Sequence, residues 1–171
     1  MTKVTTSRPQ VLVINSGSSS LKFSLFEVQS ESVIASGIAE RLGTTEASLK
    51  LSDNDAKKIE EPLPNADHRA ALRRVIERLR TLVDNEVDAL GHRIVHGGEY
   101  FRDAVIIDDD VIRRIEELRD LAPLHNPPGA QGIRVASELF PQKPQVAVFD
   151  TAFHQTLPPH AFHYAIPPEF Y

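Results

Sequence analysis

Cysteine is absent from this chain of 171 residues, which excludes disulfides and thiolate metal sites alike. The absence is compatible with a reducing compartment. No apolar run approaches the roughly 18–20 residues that span a bilayer, so no membrane partner is expected. Met1 to Gln10 carries only Lys3 and Arg8 as cations, and the apolar run Val11 to Ile14 behind it is too short for a secretory signal. A cytoplasmic protein is the resulting expectation. Positive charge is also scarce: 19 Lys and Arg stand against 24 Asp and Glu, a formal net charge of −5, with no basic stripe along the chain. That balance argues against a nucleic-acid binder. Neither an internal repeat nor a low-complexity tract is present.

What is there suits one soluble domain. Hydrophobic residues make up 41% and charged residues 25%, enough apolar material for a core without covalent staples. Val11 to Ile14 is a β-branched run predicting a strand buried on both faces. Asn15 to Ser20 is a turn by composition, and Leu21 to Val28 alternates with Leu21, Phe23, Leu25 and Glu27 on one face, so the pair predicts a hairpin. Ser32 to Ile38 and Ser48 to Leu51 predict further strands. Ser52 to Asn65, charged and carrying Pro62 and Pro64, is expected to be a loop. Leu72, Val75, Ile76, Leu79, Leu82 and Val83 recur at helical spacing, with Asp67 or Asn65 as cap. A strand is expected within Val87 to Val95. A second helix should follow the acids Asp108, Asp109 and Asp110, and a third should begin near Pro127 and Pro128. Val146 to Phe149 predicts a last buried strand, and the tail from Leu157 predicts no element. Hairpins followed by alternating helices and strands imply a mixed sheet with helices packed on its faces.

Four segments can carry chemistry. In the turn Asn15 to Ser20, followed by Lys22, a glycine permits close backbone approach and successive N–H groups can form an anion nest. An ordinary solvated hairpin turn has the same composition, and the spacing fits neither a P-loop nor a dinucleotide fingerprint. In Gly91 to Gly98, Arg93 can present its planar fork to a carboxylate or phosphate, or can pair with a carboxylate of the protein. His92 and His96 are spaced as zinc ligands, but Arg93 stands where a zincin has Glu, and the glycines oppose a helix. His125 lies in a proline-framed loop, where it can donate to a phosphoryl or acyl oxygen or be merely structural. Asp150 follows a buried strand, where open α/β sheets place ligands. It can hold magnesium, order a water, orient Arg93, or act as a cap. The Asp108–Asp110 cluster reads as a solvated helix start.

In this order the four segments resemble one family. Val13 to Lys22, Gly91 to Gly98, Ala122 to Pro127 and Val148 to Gln155 are similar to blocks of the acetate kinases, and the resemblance covers Val11 to Tyr171. It implies a ribonuclease H-like mixed sheet with flanking helices, one of the two α/β domains in the fold shared by acetate and sugar kinases, Hsp70 and actin. It implies reversible phosphoryl transfer from ATP to acetate, giving ADP and acetyl phosphate, with magnesium; propionate and butyrate kinases are close relatives. It assigns Ser18, Ser20 and Lys22 to the nucleotide phosphates and Asn15 to the magnesium side. Arg93 matches the residue holding substrate carboxylate or the phosphoryl in flight. His125 matches a histidine on that phosphoryl, and Asp150 an essential aspartate near the reacting centre.

The resemblance also divides the chain into a disordered leader (1–10), a domain (11–155) and a segment leading toward a further domain (156–171). That further part is expected to bring a second arginine, adenosine-binding loops, an acidic magnesium ligand and most of a homodimer contact. The chain alone is therefore expected not to be a competent kinase, and a non-enzymatic anion-binding or interaction module is the alternative. One departure falls at Pro128-Gly129-Ala130-Gln131, where the family has Ala-Asn and then aliphatic residues, at the start of the third helix.

Overall fold

The structure is a computed structural model describing residues 8–55, 57–83 and 86–170. The leader expected at the N-terminus lies, for Met1 to Ser7, outside the described residues. Strand β1 (Gln10–Ser16) buries Leu12 and Ile14 while Val11 and Val13 are only partly covered. Burial on both faces was the expectation; one face is buried, the one on which helices pack. Strand β2 (Ser20–Glu27) returns antiparallel, setting Leu25 opposite Leu12 and Phe23 opposite Ile14. The alternation of both strands thus lands on one face, as a period of two requires.

Strands β3 (Ser32–Glu40), β4 (Ser48–Asp53) and β5 (Lys58–Pro62) extend the antiparallel run. Strand β5 overturns the loop expected over Ser52 to Asn65. It is the outer strand of the sheet, and its proline is the last residue, where a missing N–H disturbs least. Its exposed positions are Lys58, Glu60 and Pro62, and Glu61 turns inward. There Glu61 accepts from Arg78 and, at 2.8 Å, from Arg74 Nε. Those guanidiniums, Arg78 first, hold its carboxyl down at about 2.

Helix α1 (His68–Leu79) starts at Asp67, whose carboxylate accepts from the Ala70 amide at 2.7 Å. Asn65, the other candidate cap, instead takes a left-handed φ of 61°. The stripe Leu72, Val75 and Leu79 is fully buried, each side chain contributing on the order of 1.5–3 kcal/mol. Strand β6 (Ala89–Ile94) then lies parallel to β1. A two-residue strand β7 (Val105–Ile106), which the sequence did not suggest, precedes helix α2 (Asp109–Glu117). Asp108 caps α2, accepting from Val111 at 2.8 Å, and Asp110 pairs with Arg113 and Arg114, so the acidic cluster is a helix start. Helix α3 (Asn126–Leu139) leads to strand β8 (Gln145–Phe149), parallel to β6. In the tail, Pro159–Phe162 forms a single helical turn where no element was expected.

The mixed sheet has eight strands in the order β5-β4-β3-β2-β1-β6-β8-β7. Helices α1 and α3 pack on the face carrying Leu12, Leu25 and Leu90; α2 joins Ile94, Ile133 and Phe149 on the same side. The opposite face presents Val13, Lys22, Gly91, Arg93, Val146 and Val148, none of them buried. A mixed sheet with flanking helices was the expectation, and helices α1, α2 and α3 flank it on the face carrying Leu12. Among those residues no helix is long and apolar enough to cross a membrane.

Candidate functional site

The parallel strands β1, β6 and β8 end side by side, and the candidate residues gather at those carboxyl ends, where open α/β sheets hold ligands. Arg93 is the fifth residue of β6 and projects to the uncovered face beside Val148. Asp150 follows directly on β8. The two meet in a bidentate pair, Arg93 Nε to Oδ1 at 3.0 Å and Nη2 to Oδ2 at 2.6 Å. Asp150 is thus paired with Arg93. The side chains remain 49% and 40% exposed, so the pair is accessible and its net contribution to stability is small. The pair engages Nε and Nη2, and among the described residues no hydrogen bond is made by Nη1.

The loops behind this pair are stitched together. Gly97 N–H donates to Thr151 Oγ1 at 2.9 Å, and Gln155 Nε2 to the Gly98 carbonyl at 3.2 Å. Gly98 sits at φ +57°, and a Cβ there would lie 2.5 Å from Leu118 Cδ2. Glycine at position 98 is thus demanded by backbone conformation and by packing. Phe101 stacks on Phe149 with centroids 4.3 Å apart, closing the floor of the loop.

Asn126, within the segment Ala122 to Pro127, had no role assigned from the sequence, and at 0% it is the least exposed polar residue among those described. Its Oδ1 accepts from His96 N–H at 3.1 Å, and its Nδ2 donates to the His96 carbonyl at 2.9 Å and to the Ile115 carbonyl at 3.3 Å. One side chain so ties the start of α3 to the loop after Arg93, bringing the neighbouring His125 to the same edge. His125 itself is exposed, and no hydrogen bond joins it to Arg93 or Asp150 among the described residues.

The histidine pair four residues apart does not converge. His92 faces the buried side, its Nε2 2.8 Å from Gln145 Oε1, and burial pushes its pKa down to about 4. His96 Nδ1 accepts from Gly98 N–H at 2.9 Å. Among the described residues no group of three or more His, Cys, Asp or Glu could hold a metal.

The turn between β1 and β2 lies across from Arg93, since Ile14 pairs with His92 one residue earlier. Asn15 and Lys22 are cross-strand partners at its base. The side chains of Asn15, Ser18, Ser20 and Lys22 make no hydrogen bond or ion pair among the described residues. A row of uncommitted donors therefore adjoins an oriented guanidinium, an arrangement suited to an anion with several oxygens. A separate cavity of about 480 Å³ lies between the C-terminal ends of α1 and α3. Its walls include Val87 and Lys143, before β6 and β8, so it opens at the opposite edge from Arg93 and holds none of the candidate residues.

The sequence model of the acetokinase family matches residues 10–171. An acetate kinase of Thermotoga maritima is 51% identical over 172 residues, covering 95% of this chain and 41% of the relative. One of Anoxybacillus flavithermus is 47% identical over 167 residues, covering 95% and 42%. Among solved structures, Porphyromonas gingivalis acetate kinase superposes with a TM-score of 0.90 at 40% identity, covering 95% of this chain and 42% of that one. A propionate kinase from Francisella tularensis gives 0.88 at 39% identity, with the same coverage. The chain thus spans about two fifths of the length of the relatives it matches.

Proposed function

The chain belongs to the acetokinase family, and from that premise we propose that residues 10–171 orient the reacting groups in phosphoryl transfer between ATP and acetate. The observation that carries this reading is the Arg93–Asp150 pair, held at the ends of parallel strands beside an uncommitted Ser/Lys turn. A phosphoryl group in flight spreads charge over its equatorial oxygens, so catalysis is chiefly positioning and electrostatic stabilisation. In this reading Arg93 stabilises those oxygens or the substrate carboxylate, and Asp150 keeps the guanidinium aimed. Acetate is ionised at neutral pH and attacks without a strong general base. His125, exposed at the start of α3, donates to the transferring phosphoryl. Ser18, Ser20 and Lys22 take the nucleotide phosphates.

Magnesium fits the donor set. The ion keeps much of its water and needs only one or two protein oxygens when it travels on phosphates. Asn15 offers an amide oxygen that no described neighbour uses, and the Asp150 carboxylate has lone pairs beyond the two spent on Arg93. These two residues would hold the ion, which when bound neutralises charge on the phosphate oxygens.

The test is a chimera in which residues 10–171 replace the matching segment of the Thermotoga maritima relative, with acetyl phosphate trapped by hydroxylamine. The expected outcome is ATP- and acetate-dependent hydroxamate, reduced on the order of 100-fold or more by Arg93→Ala. A folded chimera whose rate equals that of its Arg93→Ala form refutes the proposal. Since a propionate kinase is among the relatives, kcat/KM for acetate and propionate measured side by side sets the acyl preference.

A further inference from the structure

The turn between β1 and β2 is anchored from behind by residues far away in sequence, and the anchors are specific. His68, the first residue of α1, is buried, and its Nε2 lies 2.6 Å from the Gly17 carbonyl oxygen. A carbonyl only accepts, so Nε2 carries the proton and the ring donates. The next carbonyl but one, that of Ser19, accepts from the Leu42 amide at 2.9 Å. On the third side α3 presses close: a Cβ at Gly132 would lie 2.7 Å from Ser16 Cβ.

A trans peptide points its C=O and N–H in opposite directions. Drawing the Gly17 carbonyl toward His68 therefore turns the Ser18 N–H the other way. That amide donates to no group among the described residues, and neither does the Ser19 amide. The side chain of Ser18 is likewise uncommitted. We propose that His68 is a positioning residue: its ring N–H sets the Gly17–Ser18 peptide plane so that the Ser18 amide is presented, ready oriented, to a phosphate oxygen. This inference rests on the reading of the turn as a phosphate site. It adds a residue from α1, outside all four segments that carry the family resemblance. A pre-set donor needs no reorganisation when the anion arrives, which is where preorganisation gains affinity.

The experiment uses the chimera described above, with residues 10–171 isotopically labelled, and follows the Gly17 carbonyl carbon, the Ser18 amide and the Arg93 Nε–H by NMR. Magnesium ADP and, separately, inorganic phosphate are the probes. His68→Phe fills similar space without a donor, and His68→Gln restores an amide N–H. Without ligand, His68→Phe should shift the Gly17 carbonyl and broaden Ser18, while His68→Gln should stay near wild type. With magnesium ADP, His68→Phe should weaken binding roughly tenfold, as expected for misplacing one donor to a charged oxygen, and His68→Gln should recover most of it. Thermal midpoints and amide signals of Leu12 and Leu72 verify that each variant is folded.

If Arg93 and Ser18 respond to the probes equally in wild type and His68→Phe, the positioning role is refuted and the proposed function survives. If no signal near Arg93 or Ser18 responds to either probe, the phosphate reading of the turn fails and this inference fails with it. If His68→Phe unfolds, the ligand-free carbonyl shift and the affinity of His68→Gln decide: a displaced Gly17 carbonyl with unchanged affinity refutes the role.

Discussion

Acidification from neutral pH should destabilise this protein in two separate stages, and the first belongs to His92. Its imidazole is 3% exposed, enclosed between the sheet and α3, and its Nε2 meets an acceptor oxygen of Gln145 whose own Nε2 donates to Ser137 Oγ at 3.0 Å. Burial opposes the imidazolium and lowers the pKa from 6.5 to about 4, with the Gln145 bond opposing only in part. The sign follows from proton uptake. Between those two values the unfolded chain holds the proton and the folded chain does not, so stability is full above about 6.5 and is lost as pH falls to about 4. A depression of this size corresponds to about 3 kcal/mol, a large share of the stability of a domain this size. Glu61 acts in the opposite ionic sense and lower on the scale: its depressed carboxyl contributes stability that is lost from about 4.5 down to about 2. The assay is urea unfolding followed by circular dichroism across that range, for wild type and His92→Gln, which keeps an N–H for Gln145 and removes the titration. Wild type should lose about 3 kcal/mol more than the variant between neutral pH and pH 4. Equal losses in the two proteins would refute the reasoning, whatever the other carboxylates contribute, because those are common to both.

Two further predictions concern the loops that hold the candidate site. Gly98→Ala combines a left-handed φ of +57° with a Cβ 2.5 Å from Leu118, and should lower stability by roughly 1–3 kcal/mol. A thermal midpoint equal to wild type would show that the Leu118 side chain yields freely. Asn126→Ala strands the partly buried N–H and C=O of His96 and the buried Ile115 carbonyl and should cost about 2–4 kcal/mol. In the chimera it should also lower kcat more than it raises KM, through misaligned loops, and unchanged kinetics would refute the link between Asn126 and the site.

Local patterns in the sequence were enough for most elements. The alternation of Leu21, Phe23, Leu25 and Glu27 predicted the buried face of β2 residue by residue. The α1 stripe with Asp67 before it, and the three acids before α2, predicted helices whose caps the structure contains. The misses have physical causes. Strand β5 was hidden because an outer strand needs neither a run of apolar residues nor freedom from proline. The uncovered face of β1 was misjudged because a short β-branched run reads alike whether one face is covered or two.

By itself the sequence indicated most of the elements and the candidate residues Asn15, Ser18, Ser20, Lys22, Arg93, His125 and Asp150, since each sits in a local pattern of turn, strand end or helix start. It determined the family as well, because four ordered segments carry that resemblance. Which groups meet was decided only in the tertiary structure. Arg93 and Asp150 are 57 residues apart, His96 and Asn126 30, and Gly17 and His68 51. Their meeting depends on β1, β6 and β8 lying parallel, with α1 and α3 on one face. Parallel pairing requires a crossover between its strands, and no local pattern of side chains specifies which neighbour that crossover delivers.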